Sequence, residues 1–328
     1  NNFLKMIFIV VVAILSIIFV MGSESALDHK KSSCVENLDN FNRTEMMTVH
    51  KAVKSWRRIL PEFIAEEALN LRFKEPNHEF FNLLGPIGPS CATKLSSFGQ
   101  GDEEKRVCGG LQFKTDANKC IVFSIGSNNQ YGFETDIVQR TKCFVEIFDC
   151  TVGNFTPPAS IVSRVRTHKI CLGRANEFLD GLEFMTWDSL LKLTGLTTNP
   201  DFLKMDIEGY EYAVMQSILS SGKNIPLQIA MEIHHLKVSF PKGVRTIIEV
   251  SSEEIVTWFE NLRVVGGYYL VDRNDNPACS RCTEVVLAKL NCYSESPLQL
   301  NRAELLLTTA TNKVMKPAME KFLNHTLR

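Results

Sequence analysis

The hydrophobic pattern begins with a run at residues 6–21 that is almost wholly apolar and follows Lys5. This is longer than a usual signal-peptide core of about 7–15 residues and slightly short of the ~20 that span a bilayer. It predicts either a single-pass signal anchor, extended by Phe3 and Leu4 with Lys5 snorkelling, or a signal peptide cut near Ser25. Val49, Val53, Trp56, Ile59, Leu60 and Phe63 then recur at three- and four-residue steps, the mark of an amphipathic helix following a polar stem. Residues 75–100, with Gly85-Pro-Ile-Gly-Pro89 and clustered Ser and Gly, read as a loop-rich connector.

Near Lys119 the period changes to short apolar runs alternating with helical ones. Strands are predicted at 120–125, 143–148, 168–172, 227–233, 268–272 and 283–290, and helices at 133–139, 211–219 and 252–261, with a capped helix onset at Thr186-Trp-Asp188. The last two β runs, separated by Asn274-Asp-Asn-Pro and Cys279 to Cys282, make an antiparallel hairpin closing a parallel sheet. Residues 291–328 are polar and weakly helical and receive no function.

One stretch carries the most chemistry. Phe202-Leu-Lys-Met-Asp-Ile-Glu-Gly-Tyr-Glu211 is a buried strand that ends in acids and turns straight into a helix. Asp206, Glu208 and Glu211 therefore crowd the carboxyl end of a parallel strand, the edge at which open α/β sheets bind ligands. The plainer alternative is a solvated turn with N-cap acids. Two further features belong to the same edge: the Gly126 turn after the first strand, and Asp149 at the end of the second, placed to hydrogen-bond the vicinal hydroxyls of a ribose. His234 and His235 follow the 227–233 strand onto that edge.

Composition narrows the setting. The chain has 328 residues, 45% hydrophobic and 22% charged, enough for one large α/β domain with extensions. A net charge of -1 and the lack of a basic stripe argue against a nucleic-acid partner. Acceptor sequons at Asn42, Asn154 and Asn324 and ten cysteines suit an oxidising lumen. Cys279-Ser-Arg-Cys282 has no second pair at a zinc-finger spacing, so disulfides with a few buried thiols are expected, in a pairing that one sequence does not reveal.

Together, Gly126, Asp149, Asp188 and Lys204-Met-Asp-Ile-Glu-Gly-Tyr-Glu211 resemble the FkbM-type methyltransferases. Cys120-Ile-Val-Phe-Ser-Ile-Gly-Ser-Asn-Asn with Phe133-Glu134 is similar to the secretory-pathway methyltransferase-like proteins of animals. The resemblance covers residues 107–290. It implies an α/β, Rossmann-like class I fold, parallel with a reversed last strand, that binds S-adenosylmethionine and transfers methyl to oxygen. By position it assigns Ser124, Gly126, Ser127, Asn128, Glu146, Asp149 and Asp188 to the cofactor. Asp206 is the first candidate for the base, Glu208 the second and His234 a third, with Glu211 capping or orienting. These carboxylates with a histidine could also hold a divalent ion as in some O-methyltransferases, but no metal ligand is assigned. The usual glycine pattern is thinned to Gly126-Ser-Asn-Asn-Gln-Tyr-Gly132, with Ser124 where an acid often stands; Asn128 or Asn129 could take the left-handed backbone in place of the missing glycine.

The expected organisation is a signal anchor or signal peptide at 1–25, a luminal stem and helical extension at 26–106, the methyltransferase-like domain at 107–292 and a tail at 293–328. The expected activity is O-methylation of a small molecule or glycan in the secretory pathway, by a single-pass membrane protein facing the ER or Golgi lumen or by a secreted one. The alternative is a catalytically silent methyltransferase-fold glycoprotein serving as an interaction module. A nicotinamide-dependent oxidoreductase would share the turn and the acid but leave Asp206-Ile-Glu-Gly without a role.

Overall fold

The computed structural model describes residues 41, 45–69, 78–92, 94–109, 120–179, 181–234, 250, 252–277, 279 and 281–290. The apolar run at 6–21, the sequons at Asn42 and Asn324, His235 and the tail lie outside them. Among the described residues no helix is long and apolar enough to cross a membrane.

Helix α1 (Met46–Leu69) opens the described chain, and a 3-10 segment (His78–Leu84) leads to a hairpin of β1 (Leu95–Phe98) and β2 (Lys105–Cys108). The α/β alternation follows: β3 (Ile121–Ile125), α2 (Gly132–Arg140), β4 (Phe144–Phe148) and β5 (Val165–His168). A small sheet of β6 (Cys171–Leu172), β7 (Glu177–Leu179) and β8 (Leu182–Met185) interrupts it before α3 (Trp187–Thr194). The chain then gives β9 (Phe202–Met205), α4 (Glu211–Ser221), β10 (Gln228–His234), α5 (Ser252–Val264), β11 (Tyr268–Asp275) and β12 (Cys282–Lys289).

The main sheet has seven strands in the order β11-β12-β10-β9-β3-β4-β5. The run from β10 to β5 is parallel, and β12 is antiparallel to both its neighbours, so the expected reversed strand is present. All four residues of β9 and all seven of β10 are buried, as the middle strands of a sheet covered on both faces must be. Trp187, Leu190, Tyr212, Val214, Ile255 and Phe259 from α3, α4 and α5 cover one face. Phe133, Ile137 and Val138 of α2 cover the other with Phe98 of the hairpin, and each such side chain contributes about 1.5–3 kcal/mol by burial. Thr186 caps α3 by accepting from the Ser189 N–H.

The third parallel strand lies earlier than expected, at β5, while Cys171 and Leu172 join the small sheet. Strand β5 is an edge with Arg166 exposed, so it lacks the continuous apolar signature of a central strand. The stretch at 75–100 is more than a connector: Phe80, Phe81, Leu83 and Leu84 are buried in the main core. The boundary expected at 107 falls inside β2, which docks on the sheet through Gln228, whose side chain exchanges two hydrogen bonds with the Cys108 backbone. Helix α1 packs its Val49 and Val53 against Tyr269, Val271 and Val286. Four disulfides, Cys91–Cys108, Cys120–Cys143, Cys150–Cys171 and Cys279–Cys282, hold the eight cysteines of the described residues, with no buried thiol left among them.

Candidate active site

The strand order reverses between β3 and β9, since the chain leaves β3 toward β4 on one side and returns as β9 on the other. The crevice at the carboxyl ends of these strands is where such sheets bind ligands. The two strand ends touch there. A Cβ on Gly126 (φ +79°) would lie 1.8 Å from the Asp206 carbonyl oxygen, so only glycine fits. The turn continues with both Asn128 (φ 48°) and Asn129 (φ 59°) left-handed, the role foreseen for one of them. Asp149 fastens it: its Oδ2 accepts from the Asn128 N–H at 2.7 Å, and Oδ1 accepts from the Thr151 N–H and hydroxyl. A carboxylate has about four lone-pair sites, which leaves one for a ligand hydroxyl. Lys204, inside the otherwise apolar β9, reaches across to donate to the Gly126 carbonyl.

The acidic turn after β9 is equally constrained. Glu211, fully buried at the start of α4, accepts from the Ile207 and Gly209 N–H groups at 3.1 and 2.8 Å and holds the Asp206–Gly209 turn closed. It also meets His234 Nδ1 at 3.1 Å, while His234 Nε2 faces Glu208 at 3.3 Å and Glu232 at 3.4 Å. Burial works against charge on His234, but Glu211 and Glu232 prevail and push it up to about 12. Both ring nitrogens are then donors, so His234 is a cation that orients carboxylates and has no lone pair with which to act as a base. Glu232 is pulled down to about 2: burial opposes this, and the hydrogen bond and charge of His234 outweigh it.

Glu232 and Glu284 stand directly opposite each other in the β10–β12 ladder, a like-charge pairing that is unfavourable alone. Lys105 makes it tenable. Its side chain is wholly buried, with Nζ 2.5 Å from Glu284 and 3.6 Å from Asp206. Burial lowers the Lys105 pKa, but Asp206 and Glu284 more than reverse this and leave it raised. Burial pushes Glu284 up to about 7 against the pull of Lys105, and raises Asp206 likewise. Glu208 differs from these acids in access. Its side chain is 40% exposed, its backbone sits at φ 59°, and burial with the neighbouring carboxylates raises it to about 7 despite His234.

Donor atoms of Asp206, Glu208 and His234, and of Asp206, Glu232 and Glu284, fall within 4.8 Å of one another. The protein's own cations already answer both sets: protonated His234 in the first, the Lys105 ammonium between two acids of the second. A third set contains Cys282, which is oxidised in the disulfide with Cys279. The cluster is thus an ion network with an excess of acids over cations, and burial with that excess holds Asp206, Glu208 and Glu284 above the usual carboxylate range.

A family model described as a methyltransferase domain matches residues 39–289. The chain belongs to this methyltransferase-domain family. Such enzymes imply S-adenosylmethionine as methyl donor. The match takes in α1 and the β1–β2 hairpin, which the expected boundary had set apart as stem. No curated protein matches the sequence. Among solved structures, the FkbM methyltransferase of Methylobacillus flagellatus KT is 12% identical over 53% of this chain and 45% of its own, with a TM-score of 0.34. A fibrillarin/NOP5P complex is 11% identical over 54% and 75%, with a TM-score of 0.34, and the pyocyanin biosynthetic protein PhzM 13% over 52% and 50%, with a TM-score of 0.30.

Within this methyltransferase domain the residues expected to act divide. Asp206, Glu208 and His234 meet at one edge, and Gly126, Ser127, Asn128 and Asp149 adjoin them, with Ser124 at the end of β3. Asp188 is elsewhere: it accepts from Ser221 at the far end of α4, about 15 Å along the helix from Glu211. Glu146 is also displaced. It stands beside Phe123 in mid-sheet, and both its oxygens are taken by β5, Oε2 by His168 at 2.8 Å and Oε1 by Arg166 at 3.3 Å. Asn154 is exposed, as a sequon must be. Lys105, Glu232 and Glu284 were not foreseen. A charge inside an apolar strand, as at Glu232, is costly unless paired, and that was the available signal.

Proposed function

We propose that the protein is an S-adenosylmethionine-dependent methyltransferase acting on a hydroxyl of a secretory-pathway substrate such as a glycan, with the apolar run at 6–21 as its anchor or signal. Glu208 carries the reading: an accessible carboxylate with a pKa of about 7, beside the Gly126 turn, meets the requirements of a general base at neutral pH. The four disulfides and the exposed sequon at Asn154 support an oxidising compartment. The turn fits the cofactor. Ser127 Oγ is buried there with no hydrogen-bond partner, and Gly126, Asn128 and Asp149 set a backbone that a ligand can approach closely.

When bound, S-adenosylmethionine supplies a methyl group on a cationic sulfonium. The chain's part is alignment and proton removal. Glu208 accepts the proton that the acceptor hydroxyl loses as its oxygen gains the methyl. His234 holds Glu208 in place from Nε2 and is itself held by Glu211 and Glu232. Asp206 is held by Lys105 at the end of β9, next to the Gly126 turn that would receive the cofactor.

Labelled methyl transfer to glycans released from secreted glycoproteins tests this. Glu208→Gln should lower turnover by about 10²–10⁴-fold, the worth of a general base, while leaving cofactor affinity within about threefold. Unchanged turnover would remove Glu208 from the chemistry, and Asp206→Asn would then become the decisive variant.

A further inference from the structure

The ion network leaves one buried acid unused. Glu134, in the first turn of α2, is 1% exposed, and its Oε1 receives a hydrogen bond from the Ser124 hydroxyl. Its Oε2 is buried without any hydrogen-bond partner, as is Ser127 Oγ in the neighbouring turn. Leaving a buried polar atom unpaired costs about 1–3 kcal/mol, more for a charged group. Two such atoms beside one turn are unusual in a fold that satisfies its other acids so completely. Lys204 stands opposite Ser124 in the β3–β9 ladder and spends its ammonium on the Gly126 carbonyl. Burial raises the Glu134 pKa, against the charge of Lys204 and the Ser124 hydrogen bond.

We propose that Glu134 is a cofactor-binding residue whose Oε2, together with Ser127 Oγ, receives the ammonium of the amino-acid end of S-adenosylmethionine. The ligand chemistry follows from what is missing. The orphaned carboxylate oxygen requires a donor, for which a cation is preferred to a neutral group, and the Ser127 hydroxyl can accept from the same group. An ammonium offers three N–H donors and satisfies both atoms at once. Ser124 then acts as the positioning residue: its hydroxyl occupies Oε1 and leaves Oε2 for the ligand. The assignment rests on the methyl-transfer reading and adds to it a residue on α2 that was not among the positions assigned to the cofactor from the sequence.

The test is calorimetric titration of wild type, Glu134→Gln and the double variant Ser124→Asp/Glu134→Ala with S-adenosylhomocysteine and with methylthioadenosine. Both ligands are neutral thioethers on the same nucleoside, and only the first has the amino-acid end. Glu134→Gln should weaken S-adenosylhomocysteine by about 10- to 100-fold, the range of a hydrogen bond to a charged group, and leave methylthioadenosine within about twofold. The double variant returns a carboxylate from the strand side, opposite Lys204, and should recover part of the loss; it also keeps the test open if the single variant fails to fold by circular dichroism. Equal losses for both ligands would make Glu134 merely structural, and no loss for either would overturn the assignment. Folded wild-type protein that binds neither ligand would contradict the methyl-transfer reading itself, and this inference with it.

Discussion

Glu208 is held in a left-handed conformation that costs a non-glycine residue about 1–3 kcal/mol, and such strain persists where surrounding structure imposes it. Glu211 imposes it here, through the N–H groups on either side of Glu208. Two pH effects follow from a folded-state pKa of about 7. Turnover should rise as pH climbs through about 7, because the base acts in its ionised form. Stability should move the other way: the unfolded carboxyl titrates near 4.3, so between about pH 4 and 7 the folded state holds the proton more tightly, and stability declines across that window as pH rises. Glu208→Gln removes this contribution. Its thermal midpoint should therefore exceed that of wild type at about pH 8 and approach it near pH 4–5, as read by calorimetric unfolding across pH. A gap that widens as pH falls would show that Glu208 is stabilised as an anion instead.

Among the elements, the β1–β2 hairpin has the consequence least expected from its sequence. It carries Lys105 into the site, and the disulfide from Cys91 to Cys108 and the clasp from Gln228 fix it there. Lys105→Met would leave Glu284 and Asp206 without their cation in a buried setting, and breaking such a pair costs about 3–5 kcal/mol. Urea denaturation should show that loss in full, and a loss below about 1 kcal/mol would mean that the carboxylates simply take up protons. This element also shows where sequence legibility ends. The β9–α4 stretch was readable because an apolar run breaking into acids and glycine has few structural meanings, and the Gly126 turn because no side chain fits beside the Asp206 carbonyl. Lys105 was not readable: a lysine in a polar four-residue strand looks like any surface lysine, and only the sheet brings it to residues about a hundred and more positions away. Asp188 erred in the opposite sense, since an acid in the first turn of a helix has the same appearance at either edge of the sheet.

At the scale of the molecule, the extension before β3 is part of the methyltransferase domain. Arg57 of α1 pairs with Glu260 of α5 at 2.6 Å, and the Arg263 guanidinium lies over Trp56, 5.2 Å from the ring centre. A chain starting at residue 109 would lose these contacts, the hairpin and Lys105 together. It should unfold without a cooperative transition in urea, whereas a chain starting near residue 40 should retain one; cooperative unfolding of the shorter chain would restore the extension to the status of a stem. The network of Lys105, His234 and five carboxylates is built by strands far apart in sequence, at the carboxyl ends of β9 and β10 beside the glycine turn.

S-adenosylmethionine should bind at this sheet edge, against the Gly126 turn and Asp149. Calorimetric titration of the folded protein with S-adenosylmethionine, alongside NAD, tests it most directly. The geometry of the Gly126 turn and the acidic strand end predicts saturable one-to-one binding of S-adenosylmethionine, with a Kd on the order of micromolar, and no heat with NAD. Folded protein that gives no heat with S-adenosylmethionine, or that binds NAD in its place, would contradict it.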